Sequence, residues 1–234
     1  MVIRMTSLLP RRTVLASLTA VSAAALLAAC SDSGGSAQAQ TSASSGAAAP
    51  AARGTVDMAK LVAEGSLPDQ VIGNADAPVT IVEYASMTCG HCANFHRDTL
   101  PTIKKNYVET GKVRMIFREF PFDPRAEAAF MLARCSDDKY FAMIDVLFQQ
   151  QNNWAGVENA SEALLQIARL AGFSQESFEA CLTNQKLLDD VRAVRQRGAN
   201  DFGVDATPTF FINGNKYSGA LTVAEMSAII DSML

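Results

Sequence analysis

Two cysteines separated by two residues, in the segment Cys89-Gly-His-Cys92, are the side chains best suited to chemistry in this sequence. Such a pair can close a small disulfide, chelate a metal, or do each at different times. Residues 79–85 before it are rich in β-branched side chains and predict a buried strand, and residues 90–110 after it predict a helix. Cys89 therefore lies where a helix begins, and the free N–H groups and helix dipole there stabilise a thiolate, the nucleophile of thiol–disulfide exchange.

Length and charge narrow the classes of protein to consider. The chain has 234 residues, 49% of them hydrophobic, which suits one globular domain with an insertion. A net charge of −4 with only two histidines offers no extended basic surface, so we expect no nucleic-acid partner. Arg192, Arg195 and Arg197 form a small positive cluster, which we interpret as a solvated helix face.

The first 30 residues predict export. A positively charged start precedes residues 14–29, which are apolar but too short and too rich in small residues for a secure membrane span. The segment ends in Leu-Ala-Ala-Cys30, which resembles the lipobox of bacterial lipoproteins, where the cysteine is lipidated. The alternative is an ordinary secretory signal with Cys30 incidental. An Arg-Arg pair loosely resembles a twin-arginine signal, so the export route stays open.

The domain organisation follows from composition. Residues 31–56 are mostly Ser, Gly, Ala and Gln, cannot bury a core, and predict a flexible tether before a domain at 57–234. A lipid anchor would place that domain in a periplasm or cell envelope, bound to a bacterial membrane, where disulfides persist. Of the five cysteines, setting Cys30 aside leaves an even number.

The order of predicted elements indicates an α/β fold. An edge strand precedes the strand, the cysteine pair, the helix and a further strand at 112–119; Pro101 should kink the helix. Only helical periodicity follows over about 125–200. A hairpin at 208–218 and a last helix at 222–233 close the chain. The prediction is a mixed sheet flanked by helices, with an all-helical insertion.

With these elements in place, residues 69–234 resemble the DsbA family of thioredoxin-like proteins. The resemblance rests on Cys-Gly-His-Cys after a strand, the helical insertion, and Thr207-Pro208 just before a strand. It implies a thioredoxin-like fold in which Pro208 is cis and lies beside the cysteine pair. The backbone of Thr207 would then pair with an extended substrate chain. A trans proline that starts a strand is the alternative.

The resemblance also implies roles for residues around the cysteines. Cys89 would be the exposed nucleophile and Cys92 its buried partner. Glu83 would lie beneath them and take or give the proton of Cys92, or else form an ion pair, for example with Arg118. An imidazolium at His91 would stabilise the Cys89 thiolate and make the disulfide a stronger oxidant.

Neighbouring residues are expected to line the site. We place Gly90 and Thr207 on the substrate-binding side, with Met87 and Thr88 framing the groove. His96 lies further along the helix, and we expect it at the surface without a role.

Cys135 and Cys181 lie on predicted helices of the insertion. In an oxidising compartment we expect a second, structural disulfide between them, which some relatives of this kind have and others lack. Two buried free thiols are the alternative.

The predicted function is a thiol:disulfide oxidoreductase without cofactor or metal. Oxidation of reduced, unfolded exported proteins by a monomer is favoured, because the segment before residue 57 offers no dimerisation domain of the kind bacterial isomerases carry. A membrane redox partner would reset the disulfide. Isomerisation and reduction at the same site remain alternatives, as does a module that binds copper or zinc through Cys89 and Cys92.

Overall fold

The computed structural model describes residues 48–234. Five strands form one mixed sheet in the order β1-β3-β2-β4-β5. The strands are β1 (Gln70–Ile72), β2 (Val79–Ala85), β3 (Val113–Glu119), β4 (Thr209–Ile212) and β5 (Asn215–Ser218). Only β2 and β3 run parallel to each other, and the other neighbours are antiparallel. The predicted βαβ start and hairpin end are therefore confirmed.

Helices cover the sheet and form the insertion. The α-helices are α1 (Met58–Leu61), α2 (Gly90–Asn94), α3 (Leu100–Ile103), α4 (Pro124–Arg134), α5 (Tyr140–Gln149), α6 (Gln151–Trp154), α7 (Ala160–Leu170), α8 (Gln175–Leu182), α9 (Gln185–Phe202) and α10 (Val223–Asp231). Helices α4 to α9 lie between β3 and β4, where the sequence predicted an all-helical insertion. The fold is the predicted α/β fold.

Strand β2 is the central strand of the sheet, and all seven of its residues are buried. Val79 and Ile81 pack in one cluster, with side chains from α3 and α10. Val82 and Tyr84 pack in another, with α1 and α9 on the opposite face. A strand covered on both faces has no side facing solvent, which explains why it is mostly apolar, with Glu83 as its one charged residue.

The helix after the cysteines is irregular, as the position of Pro101 in the sequence predicts. Two π-helical segments, Phe95–Thr99 and Lys104–Val108, flank α3. Pro101 stands in the first turn of α3 and has no N–H to donate, so the regular hydrogen-bond pattern is interrupted there.

The insertion contains a disulfide between Cys135 and Cys181, with the two Cα atoms 6.2 Å apart. Cys135 ends α4 and Cys181 lies near the end of α8. The bond therefore joins the first and later parts of the insertion across 46 positions of sequence.

The N-terminal predictions fall mostly outside the described residues. The signal segment 1–30, the lipidation site Cys30 and residues 31–47 of the tether all lie there. The end of the tether is described and is paired: the N–H of Arg53 donates to Lys216 at 2.8 Å and that of Val56 to Gly214 at 2.9 Å. The segment predicted as flexible therefore adds to the edge of β5 before residue 57. Within 48–234, no helix is long and apolar enough to cross a membrane.

Candidate active site

The two cysteines lie at the junction of β2 and α2. Cys89 is the N-cap of α2, with extended backbone angles, and its N–H donates to the Ser86 carbonyl at 3.1 Å. Its side chain is partly exposed, whereas Cys92 in the first turn is completely buried. Both are free thiols in this structure. One sulfur can thus meet a partner protein and the other cannot.

The surroundings of Cys89 favour its thiolate. The pKa of this thiol is lowered from 9.0 to about 5, chiefly by a hydrogen bond from the Cys92 side chain. Partial burial opposes the charge, but hydrogen bonds from the Thr207 side chain and from the backbone N–H groups of Cys92 and His91 favour it. These N–H groups belong to the start of α2, where no carbonyl of the helix can accept from them. Cys89 is therefore mostly ionised at neutral pH.

Cys92 has the opposite character. Burial raises its pKa well above the ordinary value, and the negative charges of Cys89 and Glu83 raise it further. A buried thiol of this kind stays protonated until a nearby group takes its proton. The pair therefore combines an exposed nucleophile with a buried thiol held as S–H.

Thr207 and Pro208 approach the cysteines from the start of β4. The Thr207-Pro208 peptide bond is cis. The Thr207 carbonyl accepts a hydrogen bond from the Cys89 thiol, with a sulfur–oxygen distance of 3.2 Å. The structure thus brings the two separate sequence motifs into one site.

Glu83 lies on β2 and is fully buried, but its partner differs from the one we considered. His96 Nε2 lies 3.2 Å from each carboxylate oxygen of Glu83. Arg118 binds Asp69 instead, with two hydrogen bonds of 2.8 Å. The reason is the alternation of the strands: Arg118 pairs with Tyr84 across β2 and β3, so it faces the side opposite to Glu83.

His96 is buried rather than at the surface, which corrects the expectation from sequence. It packs between the rings of Phe117 and Phe148. Burial disfavours its charge, but the carboxylates of Glu83 and Asp145 outweigh burial and raise the pKa of His96 to about 9. Asp145 lies 3.9 Å from Nδ1. The result is a buried ion pair on the same side of the sheet as Cys92.

Comparison with known proteins agrees with this geometry. The family model described as Thioredoxin matches residues 66–232. The crystal structure of Wolbachia pipientis alpha-DsbA1 is 34% identical, covers 74% of this chain and 94% of its own, and superposes with a TM-score of 0.69. The chain belongs to the DsbA family of thioredoxin-like proteins.

Other relatives of this DsbA-family protein differ in length or identity. A Rickettsia felis protein named as a protein-disulfide oxidoreductase is 34% identical over 168 residues. The match covers 71% of this chain and 60% of that protein, so the chain spans about 60% of the length of this curated relative. Oxidised BdbD of Bacillus subtilis, with 21% identity and a TM-score of 0.63 over 70% of this chain and 92% of that one, is similar in fold alone.

Both residues between the cysteines are exposed. The backbone N–H of His91 is among the causes that lower the pKa of Cys89. Gly90 is also exposed, and a Cβ there would meet nothing within 4 Å. Space alone therefore does not require glycine at position 90.

Three residues of the site were not predicted from sequence. His96 follows Cys92 by one helical turn, and that spacing places two side chains on one face of a helix, so this signal was available. Asp123 accepts a hydrogen bond of 2.5 Å from the Thr88 hydroxyl, and Gln151 contacts the backbone on either side of Thr88. The hydrogen bonds of Asp123 and Gln151 join distant parts of the chain, and no local sequence pattern indicates them.

The described residues offer no grouped set of metal ligands. Across residues 48–234, no three side chains of His, Cys, Asp or Glu are grouped so as to hold a metal ion. Cys89 and Cys92 alone would supply two thiolates, fewer than the four ligands of a structural zinc site.

Proposed function

We propose that this DsbA-family protein oxidises the thiols of exported proteins through its Cys89–Cys92 disulfide. The observation that carries the proposal is the contrast between the two sulfurs: Cys89 is partly exposed with a pKa of about 5, and Cys92 is buried with a raised pKa. A stabilised Cys89 thiolate favours the reduced protein, and this makes the oxidised protein a strong oxidant.

The reaction proceeds in two exchanges. A substrate thiolate attacks Cys89 Sγ of the disulfide, forms a mixed disulfide, and displaces Cys92 as a thiolate that takes up one proton. A second substrate thiolate then attacks the substrate sulfur of the mixed disulfide and releases Cys89 as a thiolate. The substrate loses two electrons and gains a disulfide, while the protein gains two electrons. Cys89 is a good leaving group because its pKa is low.

Glu83 is the proposed proton carrier for Cys92. It is the carboxylate whose charge raises the pKa of Cys92, and it is buried with that thiol. It lies 3.2 Å from His96 Nε2 and acts electrostatically on Cys92, so in this proposal it takes the proton of Cys92 when Cys92 must attack and returns it when Cys92 leaves. The two roles considered from sequence, proton carrier and ion-pair member, are compatible here, with His96 as the partner.

Thr207 and His91 are proposed to act on the substrate side. Thr207 precedes β4 and contacts Cys89, so its backbone is placed to pair with a substrate segment beside the sulfur. The exposed ring of His91 is available to a bound substrate. The pKa of Cys89 is already explained by Cys92, Thr207 and the helix N–H groups, so an imidazolium at His91 would add to it rather than create it.

The wider setting is also a proposal. We place the protein outside the cytoplasm as a monomer, held at a bacterial membrane through lipidated Cys30, with reduced, unfolded exported chains as substrates. A membrane redox partner would restore the disulfide after each turnover. The disulfide between Cys135 and Cys181 supports an oxidising compartment, because such bonds are rare where thiols are kept reduced.

The direction of exchange is tested by the reduction potential of residues 48–234, measured by equilibration with glutathione. We expect roughly −180 mV or higher, the range of isomerases and oxidases. A value near that of thioredoxin, about −270 mV, would exclude the oxidase and favour a reductase supplied by a membrane electron donor.

A further inference from the structure

The turn that carries Cys89 is attached to the helical insertion by one buried side chain. Gln151, the first residue of α6, is 6% exposed. Its Nε2 donates to the Met87 carbonyl at 2.8 Å and to the Cys89 carbonyl at 3.0 Å. Both hydrogens of one amino group are thus used on the backbone immediately before and at the reactive cysteine.

The Met87 carbonyl depends on this donor. Met87 is fully buried, and the Cys89 carbonyl, besides Gln151, accepts only the N–H of Ala93, at 3.1 Å, among the described residues. A buried carbonyl without a donor costs about 1–3 kcal/mol, so the turn is held where the carboxamide can reach both oxygens. Since one planar group makes both bonds, it fixes the distance between the oxygens as well as their direction.

A second, independent contact holds the same turn from another helix. The Thr88 hydroxyl donates to Asp123 Oδ2, while Asp123 Oδ1 caps α4 by accepting from the N–H groups of Arg125 and Ala126. The insertion therefore contacts each of the residues 87, 88 and 89. The thioredoxin-like sheet supplies the strand before the turn, but the insertion fixes the turn itself.

We propose that Gln151 is a positioning residue that sets the reactivity of Cys89. Its carboxamide holds the backbone of Cys89 at the N-cap of α2, the position at which the N–H groups of Cys92 and His91 and the Thr207 side chain favour the thiolate. It also offers positive N–H dipoles to the negative ends of the Met87 and Cys89 carbonyls, the second of which belongs to the residue that carries the thiolate. Loss of this donor both loosens the turn and leaves those negative ends uncompensated, and each effect disfavours the thiolate.

The test compares Gln151→Leu with wild type in residues 48–234. Gln151→Leu keeps the approximate volume and removes both hydrogen bonds; Gln151→Met serves if the leucine variant does not fold. The matched control is Trp154→Phe in the same helix, which removes a buried hydrogen bond of 2.9 Å to the Leu147 carbonyl but does not touch the turn. Each variant is measured for thermal unfolding, for the pKa of Cys89 by thiolate absorbance, and for its redox equilibrium with glutathione.

We expect all variants to lose stability, but only the Gln151 variants to change the redox site. Their Cys89 acid dissociation constant should fall by about three- to tenfold, and their equilibrium with glutathione should shift to the oxidised form by a similar factor. If Gln151→Leu or Gln151→Met loses stability as Trp154→Phe does, yet keeps both constants within twofold of wild type, Gln151 is merely structural. The inference rests on the proposed function, but a wild-type protein that exchanges no disulfides would refute that function, whereas unchanged variants would refute only the role of Gln151.

Discussion

Replacement of Cys92 tests directly how the structure activates Cys89. The largest cause of the low pKa of Cys89 is the hydrogen bond from the Cys92 side chain. Cys92→Ala removes that donor, whereas Cys92→Ser keeps a hydroxyl donor at the same place. The remaining contributions, from Thr207 and from the N–H groups at the start of α2, stay in both variants.

The size of the effect follows from the strength of such a bond. A hydrogen bond to a charged group contributes about 1.5–3 kcal/mol, and about 1.4 kcal/mol corresponds to one pKa unit. Cys92→Ala should therefore raise the pKa of Cys89 from about 5 to between about 6 and 7. A thiolate is present above its pKa, so at pH 6 the ionised fraction falls from about nine-tenths to about half or less. Cys92→Ser should stay close to wild type.

Two independent measurements check this. Thiolate absorbance at acid to neutral pH gives the pKa of Cys89, the one cysteine of the site that remains in each variant. The rate of alkylation against pH gives the same midpoint from reactivity. If Cys92→Ala keeps a pKa near 5, the helix N–H groups and Thr207 alone stabilise the thiolate, and the reasoning about Cys92 is refuted.

Two further predictions concern stability. Because the pKa of His96 is raised in the folded protein, its charge stabilises the fold fully below the unfolded pKa of 6.5, and this stabilisation is lost as pH rises through about 9. In urea unfolding, the free energy of unfolding of wild type should exceed that of His96→Gln by roughly 3 kcal/mol at pH 6 and by much less at pH 10. A difference that does not depend on pH would contradict the ion pair. Replacing Cys135 and Cys181 together by alanine should lower the free energy of unfolding by about 3–4 kcal/mol in the same assay, because the disulfide closes a loop with a sequence separation of 46, and an unchanged midpoint would contradict that contribution.

Local sequence patterns predicted much of the fold and the position of the reactive cysteines. Residues 79–85 were predicted as a strand and form β2 with those bounds, because a strand buried on both faces is rich in β-branched and aromatic side chains. The change to helical periodicity after β3 marked the insertion, and Pro101 marked the irregular helix.

The contacts of the site depend on tertiary packing and were harder to predict. Arg118 was considered as a partner of Glu83, but the register of β2 with β3 places it beside Tyr84 on the other face. His96 lies one helical turn after Cys92, but its partner Glu83 lies on another element, so the ion pair could not be predicted from the helix alone. Gln151 reaches the redox turn across 62 and 64 positions of sequence, which neither composition nor periodicity can indicate.

The central claim is that Cys89 exchanges disulfides with substrate thiols while Cys92 releases them. The most direct measurement is the reaction of Cys92→Ser with a reduced, unfolded protein under oxidising conditions, followed by mass spectrometry of the products, with Cys89→Ser as the control. We predict that Cys92→Ser accumulates a mixed disulfide linked through Cys89, that Cys89→Ser forms none, and that wild type transfers its disulfide to the substrate. Mixed disulfides linked through Cys92, or a Cys89→Ser variant that still oxidises the substrate, would contradict the account.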